Sequence, residues 1–97
     1  MSSVDPSKLV VQHDEPNHRF IVRVGAQECV AEYEVADGIA TFTHTFVPPE
    51  LRGRGIAEML VRTALDYARR ERLRVIPACS YVATFIRRHR EYVDLTT

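Results

Sequence analysis

The stretch from Phe46 to Ala68, FVPPELRGRGIAEMLVRTALDYA, constrains this chain more than any other. A strand ends near Val47, where two consecutive prolines forbid its simple continuation. The basic, glycine-punctuated loop Arg52-Gly53-Arg54-Gly55 follows, and a long amphipathic helix starts near Ile56. The first backbone N–H groups of a helix have no intrahelical partner, and the helix dipole adds partial positive charge there. Glycines let an anion approach the backbone closely, and arginines add charge and planar donors. The stretch therefore predicts an anion site whose natural ligand is a phosphate or pyrophosphate. It lacks the Gly-Lys-Ser/Thr of a P-loop and the spacing of a dinucleotide fingerprint.

The rest of the chain supplies the frame. Met1–Ser7 reads as a frayed leader. Leu9-Val10-Val11 starts a first strand, closed by the turn Asp14-Glu15-Pro16-Asn17. Arg19–Val24 alternates as a second strand, with Phe20, Val22 and Val24 on one face and Arg19 and Arg23 on the other. Glu28–Val35 alternates again. Cys29, Ala31, Tyr33 and Val35 are expected inside, and Glu28, Glu32 and Glu34 outside. Asp37-Gly38 is a hairpin turn. Ile39–Val47 is a fourth strand, with Phe42, His44 and Phe46 on one face and Thr41, Thr43 and Thr45 on the other.

A helix from about Gly55 to Arg72 carries the stripe Ala57, Leu60, Val61, Ala64, Leu65 and Ala68, with Glu58–Arg62 and Asp66–Arg70 as i,i+4 pairs. A short strand, Leu73–Ile76, stops at Pro77. Ser80 reads as the cap of a second helix over about Tyr81–His89. The tail after it is too short to assign. The order β-β-β-β-α-β-α is an α+β fold. A four-stranded antiparallel meander is followed by a β-α-β crossover with parallel strands, right-handed by rule, and a C-terminal helix. The expected organisation is a single domain over residues 1–97.

Composition excludes several functions. Thirteen basic residues balance thirteen acidic ones, so no global field favours nucleic acid or membrane. Only Lys8 among the basic residues is a lysine. Cys29 and Cys79 and the four histidines lie scattered, without metal-ligand spacing, and no metal is expected. No signal peptide or transmembrane run is visible, so the expected address is the cytoplasm, with both thiols reduced. A 97-residue chain has a thin core, and a homodimer would be unsurprising.

The segment Arg52-Gly53-Arg54-Gly55-Ile56-Ala57 matches R/Q-x-x-G-x-G/A, placed after the fourth strand and opening the long helix. With it, the chain resembles the GNAT superfamily of acyl-CoA-dependent N-acetyltransferases. The run Ile76-Pro-Ala-Cys-Ser-Tyr-Val-Ala-Thr-Phe-Ile-Arg-Arg-His-Arg-Glu-Tyr is similar to minimal, single-domain members in which Cys-Ser-Tyr follows the fifth strand. The resemblance covers about Arg19 to Leu95. It implies acetyl-CoA or coenzyme A as cofactor, with the pyrophosphate on Arg52, Gly53, Arg54, Gly55, Ile56 and Ala57. It also implies that the fourth and fifth strands splay. Thr45, Phe46 and Val47 would lie beside the pantetheine arm, and the thioester between His44–Phe46 and Ala78, Cys79 and Ser80.

The activity implied is transfer of an acetyl group to a primary amine of a protein or small molecule. The acceptor-binding helices of larger members have no room between Val11 and Arg19, which keeps a non-catalytic CoA-binding module or sensor as the alternative. Cys79 is the sharpest catalytic candidate, as acyl acceptor or as the acid that returns a proton to the departing thiolate; a thiol that merely packs is the rival reading, and the one adopted for Cys29. His44 is the only titratable side chain of the fourth strand and could relay protons, or could be an ordinary strand histidine. Tyr81 could donate to the leaving sulfur. Glu32 and Glu34 are alternative bases that an outward sheet face also explains. The arginines at 69–74 and 87–90 suit a solvated face or the CoA 3′-phosphate better than nucleic acid, given sparse aromatics and zero net charge.

Overall fold

A computed structural model describes residues 8–96, so the Met1–Ser7 leader lies outside the described residues. The strands are β1 (Gln12–Asp14), β2 (Arg19–Val24), β3 (Gln27–Ala36), β4 (Ile39–Phe46) and β5 (Arg74–Pro77). The helices are α1 (Ile56–Arg70) and α2 (Ser80–Arg88), and short 3-10 segments cover Glu15–Asn17, Pro49–Leu51 and Arg90–Thr96. The five strands form one sheet in chain order, antiparallel from β1 to β4, with β5 parallel to β4. The class is α+β, as the periodicities indicate. No helix among the described residues is long and apolar enough to cross a membrane.

β1 starts later than the Leu9-Val10-Val11 run suggests. Its ladder is fixed by the turn: His18 at φ 55° donates its N–H to Glu15 O at 3.0 Å, so pairing begins at Asp14↔Arg19 and ends at Gln12↔Ile21. Leu9 and Val11 instead lean on the core as partly buried side chains. In β2, Ile21 is buried as well as Phe20 and Val22, although it stands outside the main core cluster, paired with Val30.

The largest departure lies in β4. Tyr33 pairs with Phe42, but the next pair is Glu32↔His44, which leaves Thr43 as an extra residue. A strand has a side-chain period of two, so one inserted residue exchanges the faces beyond it. Ala40 and Phe42 face the core; past the bulge Thr45 joins Ala31 on that side, while His44 sits beside Glu32 and Phe46 beside Val30 on the other. The single face expected for Phe42, His44 and Phe46 is therefore broken. Val35 is exposed, since it lies near the far end of β3 rather than beneath the helices.

α1 lays Ile56, Leu60, Val61, Ala64, Leu65 and Ala68 against the sheet, with Val82, Phe85 and Ile86 of α2 in the same core. Burial of this stripe, not propensity, holds a helix of 15 residues. It ends at Arg70, two residues short of the expected stop. Glu58 and Arg62 pair at 3.3 Å, but Asp66 turns away from Arg70 and accepts the Tyr92 hydroxyl at 2.7 Å. Arg69 forks onto Asp94 at 3.0 and 3.1 Å, clasping the C-terminal 3-10 segment to α1.

His13 joins β1 to the interior. Its ring stacks on Phe20 with centroids 4.1 Å apart and meets Tyr67 edge-on, and its Nε2 is hydrogen-bonded to the buried Tyr33 hydroxyl. Burial pushes the Tyr33 phenol far above its ordinary value, so Tyr33 keeps its proton and offers His13 no anionic partner that would favour a charged ring. Burial lowers the His13 pKa, reinforced by Arg70 and opposed by Glu15, Asp14 and Glu71. A depressed folded-state pKa means that the contribution is complete above about pH 6.5 and is lost as pH falls below it. Urea midpoints are therefore expected to drop between pH 7.5 and 5.5, and a His13→Asn variant should flatten that part of the profile.

Candidate functional site

Between β4 and α1 the chain makes the 3-10 turn Pro49–Leu51, buries Leu51, and passes through Gly53 at φ 80° and Gly55 at φ 81°. These are left-handed conformations that only glycine adopts cheaply. A Cβ on either glycine would meet nothing within 4 Å, so the requirement is one of backbone shape beside open space. Gly55 is the N-cap of α1, no side chain caps the helix, and the first helical bond runs from Met59 N–H to Gly55 O at 3.1 Å. The amides of Ile56, Ala57 and Glu58 precede that bond and are left for another acceptor. Ile56, almost fully buried, fixes the helix start against the core.

These amides border a cleft of about 320 Å³ lined by Thr45, Val47, Leu51, Arg52, Gly53, Gly55, Ile56, Ala57, Glu58 and Tyr81. Its wall on the sheet side exists because β4 and β5 part. Their pairing ends at Phe42↔Pro77, and Cys79 N–H then donates to Phe42 O at 2.8 Å. From Thr43 to Phe46, β4 has no strand on its β5 side among the described residues. The inner end of the gap is marked by Thr45 and Cys79, with Oγ1 and Sγ 3.6 Å apart.

Cys79, not Ser80, is the N-cap of α2; Ser80 is its first residue and is exposed. The bond to Phe42 O sets this, since it holds residue 79 in the extended conformation that a cap requires. Burial alone pushes the Cys79 thiol up, but the Thr45 hydroxyl and the backbone N–H groups of Val82 and Tyr81 outweigh it and hold the thiol below its ordinary value. No cap hydrogen bond forms to the sulfur, so those amides act as dipoles. Burial, with the Glu58 charge, raises the Tyr81 phenol, which therefore keeps its proton and can act as a donor. Cys29 is fully buried on the core face of β3, its thiol pushed up by burial.

Among the expected site residues, Thr45, Val47, Arg52, Gly53, Gly55, Ile56, Ala57 and Tyr81 share the cleft, and Cys79 touches it through Thr45. Four do not line it. His44 and Phe46 stand on the opposite face of β4, their rings stacked at 6.3 Å. Arg54 reaches back to Glu50 O at 3.4 Å, and Ser80 points to solvent. Arg52 lines the cleft while its Nε donates to Val47 O at 2.8 Å and its guanidinium lies 6.0 Å from the Phe46 ring. Glu32 and Glu34 are on the face of His44. Glu58 was legible only as a helix-surface ion pair, yet it lines this cleft and a neighbouring 90 Å³ pocket with Tyr81, Thr84, Phe85, Arg88 and His89. Among the described residues no three His, Cys, Asp or Glu cluster as metal ligands.

Comparison with known proteins identifies the family and the fold. The family model of the GCN5-related N-acetyl-transferases matches residues 19–95. Protein NATD1 of Bos taurus is 39% identical over 80 residues, covering 79% of this chain and 71% of its own. Protein NATD1 of Xenopus tropicalis is 34% identical over 91 residues, covering 90% and 84%. The solution structure of a GCN5-like protein from Staphylococcus aureus superposes with a TM-score of 0.72 at 24% identity, over 92% of this chain and 88% of that one, and so shares the fold. A family match across β2 to the C-terminal segment, the glycine loop at the start of α1 and the parted strands converge: the chain belongs to the GCN5-related N-acetyltransferase family.

Proposed function

We propose that this protein binds acetyl-CoA in the cleft between β4, the 52–57 loop and α2, and transfers the acetyl group to a primary amine of a protein or small molecule. The observation that carries this is the continuity of the cleft, from the uncapped start of α1 to the Thr45–Cys79 pair at the inner end of the strand gap. The residues present fit the coenzyme. The amides at 56–58 and Arg52 suit a pyrophosphate, the unpartnered edge of β4 suits the amide groups of a pantetheine arm, and about 320 Å³ lies in the ordinary range for a small-molecule site. When bound, the thioester supplies an activated acetyl group. Thr45 and Val47 flank it, and Leu51 and Ile56 exclude water from the loop side. Tyr81 keeps a proton available for a leaving sulfur, and Cys79 either does the same or accepts the acetyl group itself.

His44 does not share that side of β4; a proton-relay role for it requires the acceptor to approach from the helix-free face of the sheet. A specific observation favours the second reading, a CoA-binding module without turnover. The β1–β2 connection is only the turn Glu15–His18, so no element there builds an acceptor site. Glu58, the one carboxylate lining the cleft, is already paired with Arg62 at 3.3 Å.

The test is incubation with acetyl-CoA and a panel of primary amines, following free thiol release and intact mass. Amine-dependent release supports transfer. An added acetyl mass that vanishes in Cys79→Ala assigns the acyl-acceptor role. Coenzyme binding with neither release nor adduct for any amine would leave the module reading.

A further inference from the structure

Thr45 owes its position to the β4 bulge. With simple alternation it would lie with Thr41 on the helix-free face; the extra residue Thr43, whose hydroxyl bonds Glu32 O at 3.4 Å, moves it to the side of Ala31 and Phe42. There its Oγ1 stands 3.6 Å from Cys79 Sγ, and among the described residues it is the only side chain hydrogen-bonded to that sulfur. The Cys79 backbone is held at both ends. Its N–H donates to Phe42 O at 2.8 Å, and its carbonyl accepts from Ala83 N–H at 3.1 Å. What remains free is rotation of the thiol, and Thr45 restrains it.

We propose that Thr45 is the positioning residue of Cys79: from across the strand gap its hydroxyl orients the sulfur and donates to it in the thiolate form, so that β4 sets the reactivity of a thiol carried by α2. The inference deepens the proposed function, because it concerns the group at the inner end of the same cleft, but it does not depend on turnover. The lowered pKa of Cys79, with Thr45 first among the groups that oppose burial, points the same way. The bulge then has a purpose in the site: it brings a hydroxyl to a place where simple alternation would leave none.

The test uses the whole protein without coenzyme. Alkylation of Cys79 by iodoacetamide is followed from pH 6 to 10 by mass of the Cys79 peptide, with Cys79→Ala as blank; Cys29 is buried. Thr45→Val keeps the shape and removes the donor. Its profile is expected to move to higher pH, with the rate near neutrality falling about fivefold, the effect of a lost hydrogen bond of ordinary strength. Thr45→Ser should restore the wild-type profile to within about twofold. Thr45→Ala provides the same comparison if valine prevents folding. An unchanged profile in Thr45→Val or Thr45→Ala overturns the proposal, as does a Thr45→Ser profile that follows valine. Absence of acetyl transfer by the wild type would count against the transferase reading alone, since the alkylation profile contains no coenzyme.

Discussion

Gly55→Val is expected to weaken coenzyme A binding at least about tenfold while leaving the sheet assembled. Gly55 sits at φ 81° as the N-cap of α1. A β-branched residue is a genuine outlier there, at a cost on the order of 1–3 kcal/mol. Because a Cβ would meet nothing within 4 Å, no clash is available to distort the core, and the strain is relieved where it arises. The loop rotates, and the amides of Ile56 and Ala57 turn from their shared direction. Valine also places methyl groups beside the space proposed for phosphate oxygens. Isothermal titration of coenzyme A, with circular dichroism to confirm the fold, reads the loss. Gly25→Val is the control. Gly25, at φ 60° in the β2–β3 turn, carries similar strain away from the cleft and should lower stability while leaving affinity unchanged.

Leu60→Ala should produce the largest loss of stability, about 2–5 kcal/mol. Leu60 is fully buried on the sheet-facing stripe of α1. A domain of this size holds only about 5–15 kcal/mol in total, so the change consumes much of it and lowers the melting temperature by roughly 10 °C or more. The prediction reaches function because α1 presents the proposed anion site at its first turn. A loosened helix frays there first, and coenzyme A should restore part of the lost melting temperature by mass action. Thermal unfolding with and without the ligand measures both effects.

The sequence and the structure agree where one physical signal dominates. The loop is legible because two glycines and a helix start stand together, although only Arg52 of its two arginines lines the cleft. The α1 stripe is legible because six apolar positions recur at helical spacing. The β4 faces are not legible: Thr41-Phe42-Thr43-His44-Thr45-Phe46 alternates without interruption, and a bulge adds a residue without leaving a mark in composition. Its effect is to send His44 and Phe46 to the helix-free face and to bring Thr45 to Cys79. The α2 cap is misread for a related reason. Serine is the better capping type, but the hydrogen bond from Cys79 to Phe42 decides which residue stands at the helix start, and that bond is long-range. Glu58 belongs to the cleft because α2 packs across the first turn of α1, a contact that no local pattern announces.

The central claim is that the 52–57 loop and the parted strands form a coenzyme A site. The most direct measurement is a titration of coenzyme A into isotope-labelled protein, followed through backbone amide resonances. The largest shifts are expected at Gly53, Gly55, Ile56 and Ala57, with further shifts at Thr45, Val47 and Tyr81. Saturating binding that leaves those amides unmoved, or no binding at millimolar coenzyme, would contradict it.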